Sequence, residues 1–202
     1  MSLRTSYHFI APFYDAFVDR ITRPARQKNL AKLPQQSTAQ VLLNGVGTGL
    51  DLPFLPRCHN YTALDLTPAM LARAQSTAKS LHLPVQWVQG NSMALPFAQD
   101  SFNYIVSHLI VAVVPQPALC LSESSRTLKP GGKIFLFDKF LRANEPARLR
   151  RALTPLISQF ATRMDVVFEE ILQATPDLQV VSDEAILAHG WFRLIELQKV
   201  AS

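Results

Sequence analysis

The sequence predicts an α/β fold in which a mostly parallel sheet carries helices on both faces. Three observations lead to it. Apolar strand-like runs alternate with helical stretches between about residues 39 and 137, the order that makes strand–helix–strand crossovers. The first run, Ala39 to Leu43, is mainly apolar, as in a strand buried on both faces. It leads into glycines at alternate positions, Gly45, Gly47 and Gly49, a turn whose backbone can take positive φ and lie against a ligand.

The elements follow in order. Tyr7, Phe9, Ile10, Phe13, Tyr14, Phe17, Val18 and Ile21 recur at three- and four-residue steps, which predicts a helix over 7–28 with one apolar face. Pro12 suits its first turn. Arg20, Arg23, Arg26 and Lys28 load the end where the helix dipole favours cations. After a loop at Pro34 to Ser37 comes the first strand. Tyr61 to Leu64 is the second, ended by Asp65; Thr67 is then an N-cap and Pro68 the first residue of a helix to about Leu81. Val85 to Val88 is the third strand. Phe102 to Ser107 is the fourth, with an extension to Val111 left open. Pro117 opens a helix stopped by Lys129-Pro130-Gly131-Gly132, and Ile134 to Phe137 is the fifth strand. Ala147 to about Leu172 reads as helix broken at Pro155. Leu178 to Val181 and Phe192 to Val200 read as two further strands, with Gly190 as a helix C-cap.

A length of 202 residues with 48% hydrophobic content suits one domain with a sizeable core. No internal repeat or linker composition divides it. No apolar run approaches the roughly 18 residues of a membrane span, and Met1 to Thr5 gives no sign of a signal peptide. Cys58 and Cys120 match no metal or redox spacing, so reduced thiols in a cytoplasmic protein are expected. His8, His59, His82, His108 and His189 are scattered, and no metal site is predicted. A net charge of +5 admits an anionic partner but equally describes ordinary solvated faces.

Ligands of open α/β sheets bind beyond the carboxyl ends of the strands. The glycine turn differs from the dinucleotide pattern G-x-G-x-x-G: the third glycine comes one residue early, and Leu50 stands where glycine is wanted. No G-K-[ST] ending follows, which argues against a nucleoside triphosphate loop. Asp65 follows Gly45 by 20 positions, and a carboxylate there can accept hydrogen bonds from ribose hydroxyls. The plainer alternatives are a purely structural tight turn and a loop or N-cap aspartate, although Thr67 offers a better cap.

Gly45-Val46-Gly47-Thr48-Gly49, Ala63-Leu64-Asp65-Leu66-Thr67-Pro68-Ala69-Met70-Leu71, Gly90-Asn91-Ser92-Met93-Ala94-Leu95-Pro96-Phe97, Ser101-Phe102-Asn103 and Arg126-Thr127-Leu128-Lys129-Pro130-Gly131-Gly132 occur in that order. Over about Val41 to Phe137 the chain thereby resembles class I S-adenosylmethionine-dependent methyltransferases. The resemblance implies a Rossmann-like seven-stranded, mostly parallel sheet with helices on both faces and a reversed last strand, the class I methyltransferase fold. It implies S-adenosyl-L-methionine as cofactor, with the turn of Gly45, Gly47, Thr48 and Gly49, preceded by Asn44, against its methionine part. Asp65 would hold the ribose, Leu66 and Met70 would flank the adenine, and Asn91, Ser92 and Met93 would face the adenine edge. His108, at the end of the fourth strand, completes the expected cofactor-binding set. Three positions depart from the family pattern: Leu43 stands two before the first glycine where an acid is usual, and Asn91 and Asn103 each replace an aspartate. Asn44 follows Leu43, so alternation along a strand points its side chain the other way.

Methyl transfer needs alignment of the acceptor and exclusion of water more than a catalytic triad. Where the acceptor must lose a proton, a base helps, and His108, Tyr14 and Tyr7 are the candidates, each with a packing role as the alternative. The whole of 1–202 is read as one domain, with 1–36 as an N-terminal helical cap and 139–175 as a helical insertion near the substrate side. Gly47-Thr48-Gly49-Leu50-Asp51-Leu52-Pro53 and Val111-Ala112-Val113-Val114-Pro115-Gln116-Pro117 are similar to segments of bacterial phosphatidylethanolamine N-methyltransferases, which implies a lipid amine acceptor. The basic-ended aromatic helix and the cluster of Arg142, Arg148, Arg150 and Arg151 suit peripheral attachment to an anionic membrane, the inner membrane of a bacterium, as readily as packing and solvated faces. A small-molecule amine, a quinone-type acceptor for C- or O-methylation, and a cofactor-binding protein without catalysis stay open. Leu50 counts against a nicotinamide oxidoreductase. With no long basic run or reader module, no nucleic-acid partner is expected. The sequence sets no oligomeric state.

Overall fold

The computed structural model describes residues 20–141, 166–187 and 191–200. Tyr7, Tyr14, most of the N-terminal aromatic face, Pro155, Gly190 and the cluster of Arg142, Arg148, Arg150 and Arg151 lie outside the described residues.

A helix over 20–30 (α1) leads to β1 (Gln40–Asn44), β2 (Asn60–Asp65), α2 (Pro68–Ser80), β3 (Val85–Gln89), β4 (Phe102–His108) and α3 (Pro117–Thr127). Then come β5 (Leu128–Lys139), α4 (Phe168–Leu172), β6 (Leu178–Leu187) and β7 (Phe192–Lys199). The seven strands form one sheet in the order β3-β2-β1-β4-β5-β7-β6. Strands β1 to β5 pair in parallel, while β7 runs antiparallel to both β5 and β6. The expected mixed sheet with its reversed last strand is therefore present.

Both faces are covered, which is why the central strands are apolar throughout. On one face Leu42, Ile105, Leu136 and Leu197 pack with Cys120 and Leu121 of α3 and Phe168 and Ile171 of α4. On the other, Val41, Leu43, Ala63 and Phe135 pack with Leu30 of α1 and Leu71, Ala74 and Ala78 of α2. The chain winds from β1 towards β3 on one side and from β4 towards β5 on the other. The crevice between β1 and β4 is the switch point where such sheets bind ligands.

Four details differ from the sequence-based expectation. Helix α3 ends at Thr127, and Leu128 passes straight into extended backbone (φ −81, ψ 135). The Pro130-Gly131-Gly132 segment is a bulge inside β5 rather than a helix stop: the pairing steps from Phe102↔Leu128 to Tyr104↔Lys133. Gly132 is needed there because an added Cβ would lie 2.8 Å from the Asn103 carbonyl oxygen. Strand β4 stops at His108 and does not reach Val111, because Leu109 turns to φ 58. Of the stretch expected to be helical up to Leu172, the described part is helical only over Phe168–Leu172, and Val167 ahead of it is extended. The Val166 carbonyl accepts from Leu141 N–H (2.8 Å), and Val167 bridges Leu141 in parallel. Finally, β6 extends to Leu187. Its polar residues are held by side-chain partners, Asp183 by Arg193 and Glu184 by Lys28, so no apolar pattern marked them.

Candidate functional site

A cleft of about 310 Å³ opens at the carboxyl ends of β1, β2 and β4. Gly45, Asp65, Leu66 and Thr67 form one side. Asn91, Ser92 and Met93 follow β3, and Ile110, Val113, Val114 and Pro115 form the wall after β4.

The glycine turn has φ of 73, 56 and 86 at Gly45, Gly47 and Gly49, values that ordinary side chains disfavour. Space adds a second demand at two of them. A Cβ on Gly45 would lie 2.6 Å from Ile110 Cγ1, and one on Gly49 would lie 2.8 Å from Leu52 Cδ1 and 3.1 Å from Ala74 Cα. Nothing lies within 4 Å of a Cβ placed on Gly47, so the backbone there faces open space. The amides of Gly45 and Val46 donate to the Leu64 carbonyl (2.9 and 3.0 Å), which locks the turn onto β2.

Asp65 ends β2 with its carboxylate spanning the turn. Oδ2 accepts from Gly47 N–H and Oδ1 from Thr67 N–H, both at 2.9 Å. Thr67 occupies the N-cap position of α2, but its hydroxyl makes no capping bond; Asp65 binds its amide just ahead of the helix. Each carboxylate oxygen keeps a further lone pair. Leu66 is 65% exposed beside it and Met70, one helical turn on, is also exposed. Large apolar side chains left in water at a cleft edge are surfaces for an apolar or aromatic ligand group. Asn91 Oδ1 accepts from Met93 N–H (2.9 Å), fixing a tight turn and leaving one lone pair.

This turn is braced from α3. Glu123 Oε2 accepts from Leu95 N–H at 2.8 Å. Arg126 donates to the carbonyls of Phe97 (2.9 Å) and Leu95 (3.0 Å) and pairs with Glu123. The sequence offered Arg126 only as part of a motif. The three-residue spacing to Glu123 was the visible signal that the two share a helix face.

Two expected site residues are placed away from the cleft. His108 is buried with both ring nitrogens engaged: Nδ1 lies 2.8 Å from Asp51 Oδ1, and Nε2 accepts from Asn29 Nδ2 at 3.0 Å. Arg26 Nη1 donates to the same Asp51 oxygen at 2.7 Å. Burial alone would raise the Asp51 carboxyl, but His108 and Arg26 outweigh it and hold the group well below the usual carboxylate range. Arg26 is thus a buried ion-pair partner rather than a surface cation at a helix end. Asn44 turns its side chain into α3, with Nδ2 3.4 Å from Ser124 Oγ and 3.9 Å from Cys120 Sγ. It can serve the cleft only through the strand end it forms. Thr48 is half-buried on the turn and, like Gly47, Gly49 and Met70, is not a lining residue. Leu43 is packed into the core between the sheet and helices α1 and α2.

The cleft therefore offers an anchored carboxylate and apolar walls at Leu66, Met93, Ile110 and Val113, with open space beside the neighbouring Gly47. That set suits a ribose with an attached flat, weakly polar ring, and it supplies no metal-ligand cluster among the described residues.

Residues 42–136 match the family described as "Methyltransferase domain". The chain is 29% identical over 189 residues to a phosphatidylethanolamine N-methyltransferase from Cereibacter sphaeroides, covering 92% of each protein. It is 32% identical over 142 residues to the ubiquinone/menaquinone biosynthesis C-methyltransferase UbiE from a Ruegeria species, covering 68% of this chain but only 56% of that protein's length. Among solved structures, the YcgJ protein from Bacillus subtilis matches with a TM-score of 0.73 at 15% identity, over 89% of this chain and 99% of that one, a likeness of fold.

Proposed function

The chain belongs to the class I S-adenosylmethionine-dependent methyltransferases, and from that premise we propose that it methylates a lipid or small-molecule amine at a membrane surface. The observation that carries the acceptor is the near end-to-end correspondence, 92% of both chains, with a phosphatidylethanolamine N-methyltransferase. The UbiE relative has higher identity over a shorter span and leaves much of its own length unmatched. It supports C-methylation of a quinone ring as the second reading.

In this proposal Asp65 accepts the ribose hydroxyls on its remaining lone pairs, Leu66 and Met70 flank the adenine, and Asn91 accepts from its amino group. The glycine turn gives a close backbone approach at Gly47, where no side chain intervenes. When bound, the cofactor supplies an already activated methyl group. The chain's own part is to orient the acceptor in line and exclude water. In this proposal His108, whose ring nitrogens face Asp51 and Asn29, holds α1, the segment after β1 and β4 together instead of taking a proton from the acceptor. Tyr7 and Tyr14 remain the groups proposed for proton removal or for closing the site. The missing acid at Leu43 is consistent with a weaker hold on the methionine end.

The test is transfer of labelled methyl from S-adenosylmethionine to vesicles containing phosphatidylethanolamine, run beside a demethylated quinone and soluble amines. Label in the lipid amine supports the proposal. Label in the quinone alone replaces it with the second reading. Binding of S-adenosylhomocysteine without transfer to any acceptor favours a cofactor-binding protein without catalysis.

A further inference from the structure

We propose that Asp138 is a positioning residue that sets the β4-side wall of the cleft, and with it cofactor affinity, without touching the cleft itself. Asp138 lies at the carboxyl end of β5, wholly buried, and is not among the lining residues. Its Oδ2 accepts from Ala112 N–H at 2.9 Å and its Oδ1 from Lys139 N–H at 2.8 Å. Ala112 is in the middle of the segment that supplies Ile110, Val113 and Val114 to the cleft.

Val111, Ala112 and Val114 of that segment are buried in the core, but few hydrogen bonds tie its backbone to the sheet. Leu109 enters it in the left-handed region (φ 58), held by a bond from its N–H to the Phe137 carbonyl (2.7 Å). A non-glycine residue there persists only when its surroundings impose it. The Val113 and Val114 amides fold back on the Ile110 carbonyl at 3.2 and 3.3 Å, so they close a local turn without tying it to the sheet. Ile110 then rests directly on Gly45, where a Cβ would come within 2.6 Å. Asp138 thus acts on the glycine turn through Ala112 and Ile110, by a hydrogen bond at one end and packing at the other.

A carboxylate, not a neutral acceptor, fits this task. The groups it faces are backbone N–H donors, and an anion accepts from several at once. The neighbouring charged or titratable groups are Lys139 on the same strand, Cys120 on α3 and Arg193 opposite on β7. Arg193 is already committed to Asp183 and Glu169. Burial pushes the Asp138 carboxyl up from its usual value, while the amides of Ala112 and Lys139 pull the other way.

The inference rests on the reading that this cleft seats the cofactor, and two separate readouts distinguish the failure of each. In wild-type protein the Ala112 amide should exchange with solvent deuterium as slowly as those of β5; fast exchange would overturn the anchoring bond. Asp138→Asn places an amide N–H2 among N–H donors. The Ala112 amide should then exchange faster, and S-adenosylhomocysteine should bind about tenfold to a hundredfold more weakly by calorimetry. The KM for the cofactor should rise with kcat at saturation nearly unchanged. Wild-type affinity and wild-type exchange in a folded Asp138→Asn protein would overturn the proposal. Should that variant not fold, Ile110→Ala reports on the same wall: it should also weaken binding, and unchanged affinity would overturn the link from wall to cofactor. Wild-type protein that fails to bind S-adenosylhomocysteine, with Ala112 still protected, would defeat the cleft reading alone.

Discussion

Asp65 serves the fold and the ligand with one carboxylate. Each oxygen already receives an amide from its own loop, Gly47 on one side and Thr67 on the other, so the group is held rigidly before any ligand arrives. Asp65→Asn exchanges one acceptor for a donor aimed at a backbone N–H. Affinity for S-adenosylhomocysteine should fall about tenfold to a hundredfold, read by calorimetry, and an unchanged affinity would remove Asp65 from the ribose site. Asp51 carries a different burden, that of stability. It is the shared acceptor for Arg26 and His108 in a buried setting, and removing one member of such a group leaves an uncompensated charge. Asp51→Asn should cost about 3–5 kcal/mol in chemical denaturation at neutral pH. Because the folded-state value lies below the ordinary 3.8, the contribution is present above that pH and is lost as the pH falls through the folded value. The gap between variant and wild type should therefore narrow on acidification.

At the scale of elements, one buried side chain joins β6, β7 and α4 at the C-terminal half of the sheet. Arg193 of β7 is 1% exposed. It pairs with Asp183 on β6 and Glu169 on α4, donates to the Leu141 carbonyl, and lies over the Phe168 ring at 5.2 Å. Arg193→Met should lower stability by about 3 kcal/mol, since Asp183 loses its partner in a part-buried site. Cofactor affinity should stay at wild-type level, because the cleft lies at the other strands; a loss of affinity at full folding would contradict this separation. The elements legible in the sequence were those with their own local punctuation. Thr67-Pro68 opened α2, Pro117 opened α3, and the apolar runs marked β1 to β4 within a residue or two. What escaped was set by partners distant in sequence. Pro130-Gly131-Gly132 looks like a helix stop locally, yet it is a bulge forced by pairing with β4. The polar stretch of β6 is strand through its pairing with β7, while Arg193 and Lys28 pair with its acids. The same holds within the site. Asp65 and the glycine turn were readable from spacing, and so was the Glu123–Arg126 pair on one helix face, whereas Asp138, Asp51 and the bonds of that pair to Leu95 and Phe97 act through contacts that no local pattern records. His108 stood at the expected strand end, but its neighbours from α1 and the turn after β1 decided what it does.

For the whole molecule, a net charge of +5 gives the membrane proposal a measurable form. The protein should sediment with vesicles containing anionic lipid, bind neutral vesicles less, and be released by about 0.5 M salt, where the screening length drops to a few ångströms. Failure to bind anionic vesicles would remove membrane attachment and favour a soluble acceptor. No helix among the described residues is long and apolar enough to cross a membrane. The position of β7 bears on how the sheet is sealed. It fills the gap between β5 and β6, yet about 50 residues of chain separate the end of β5 at Lys139 from its start at Phe192. Until β7 is in place, the backbone edge of β5 beside Phe135 and Phe137 has no partner strand, and an open apolar edge recruits strands from other chains. Sealing the cleft-bearing strands therefore depends on a segment distant from them in sequence.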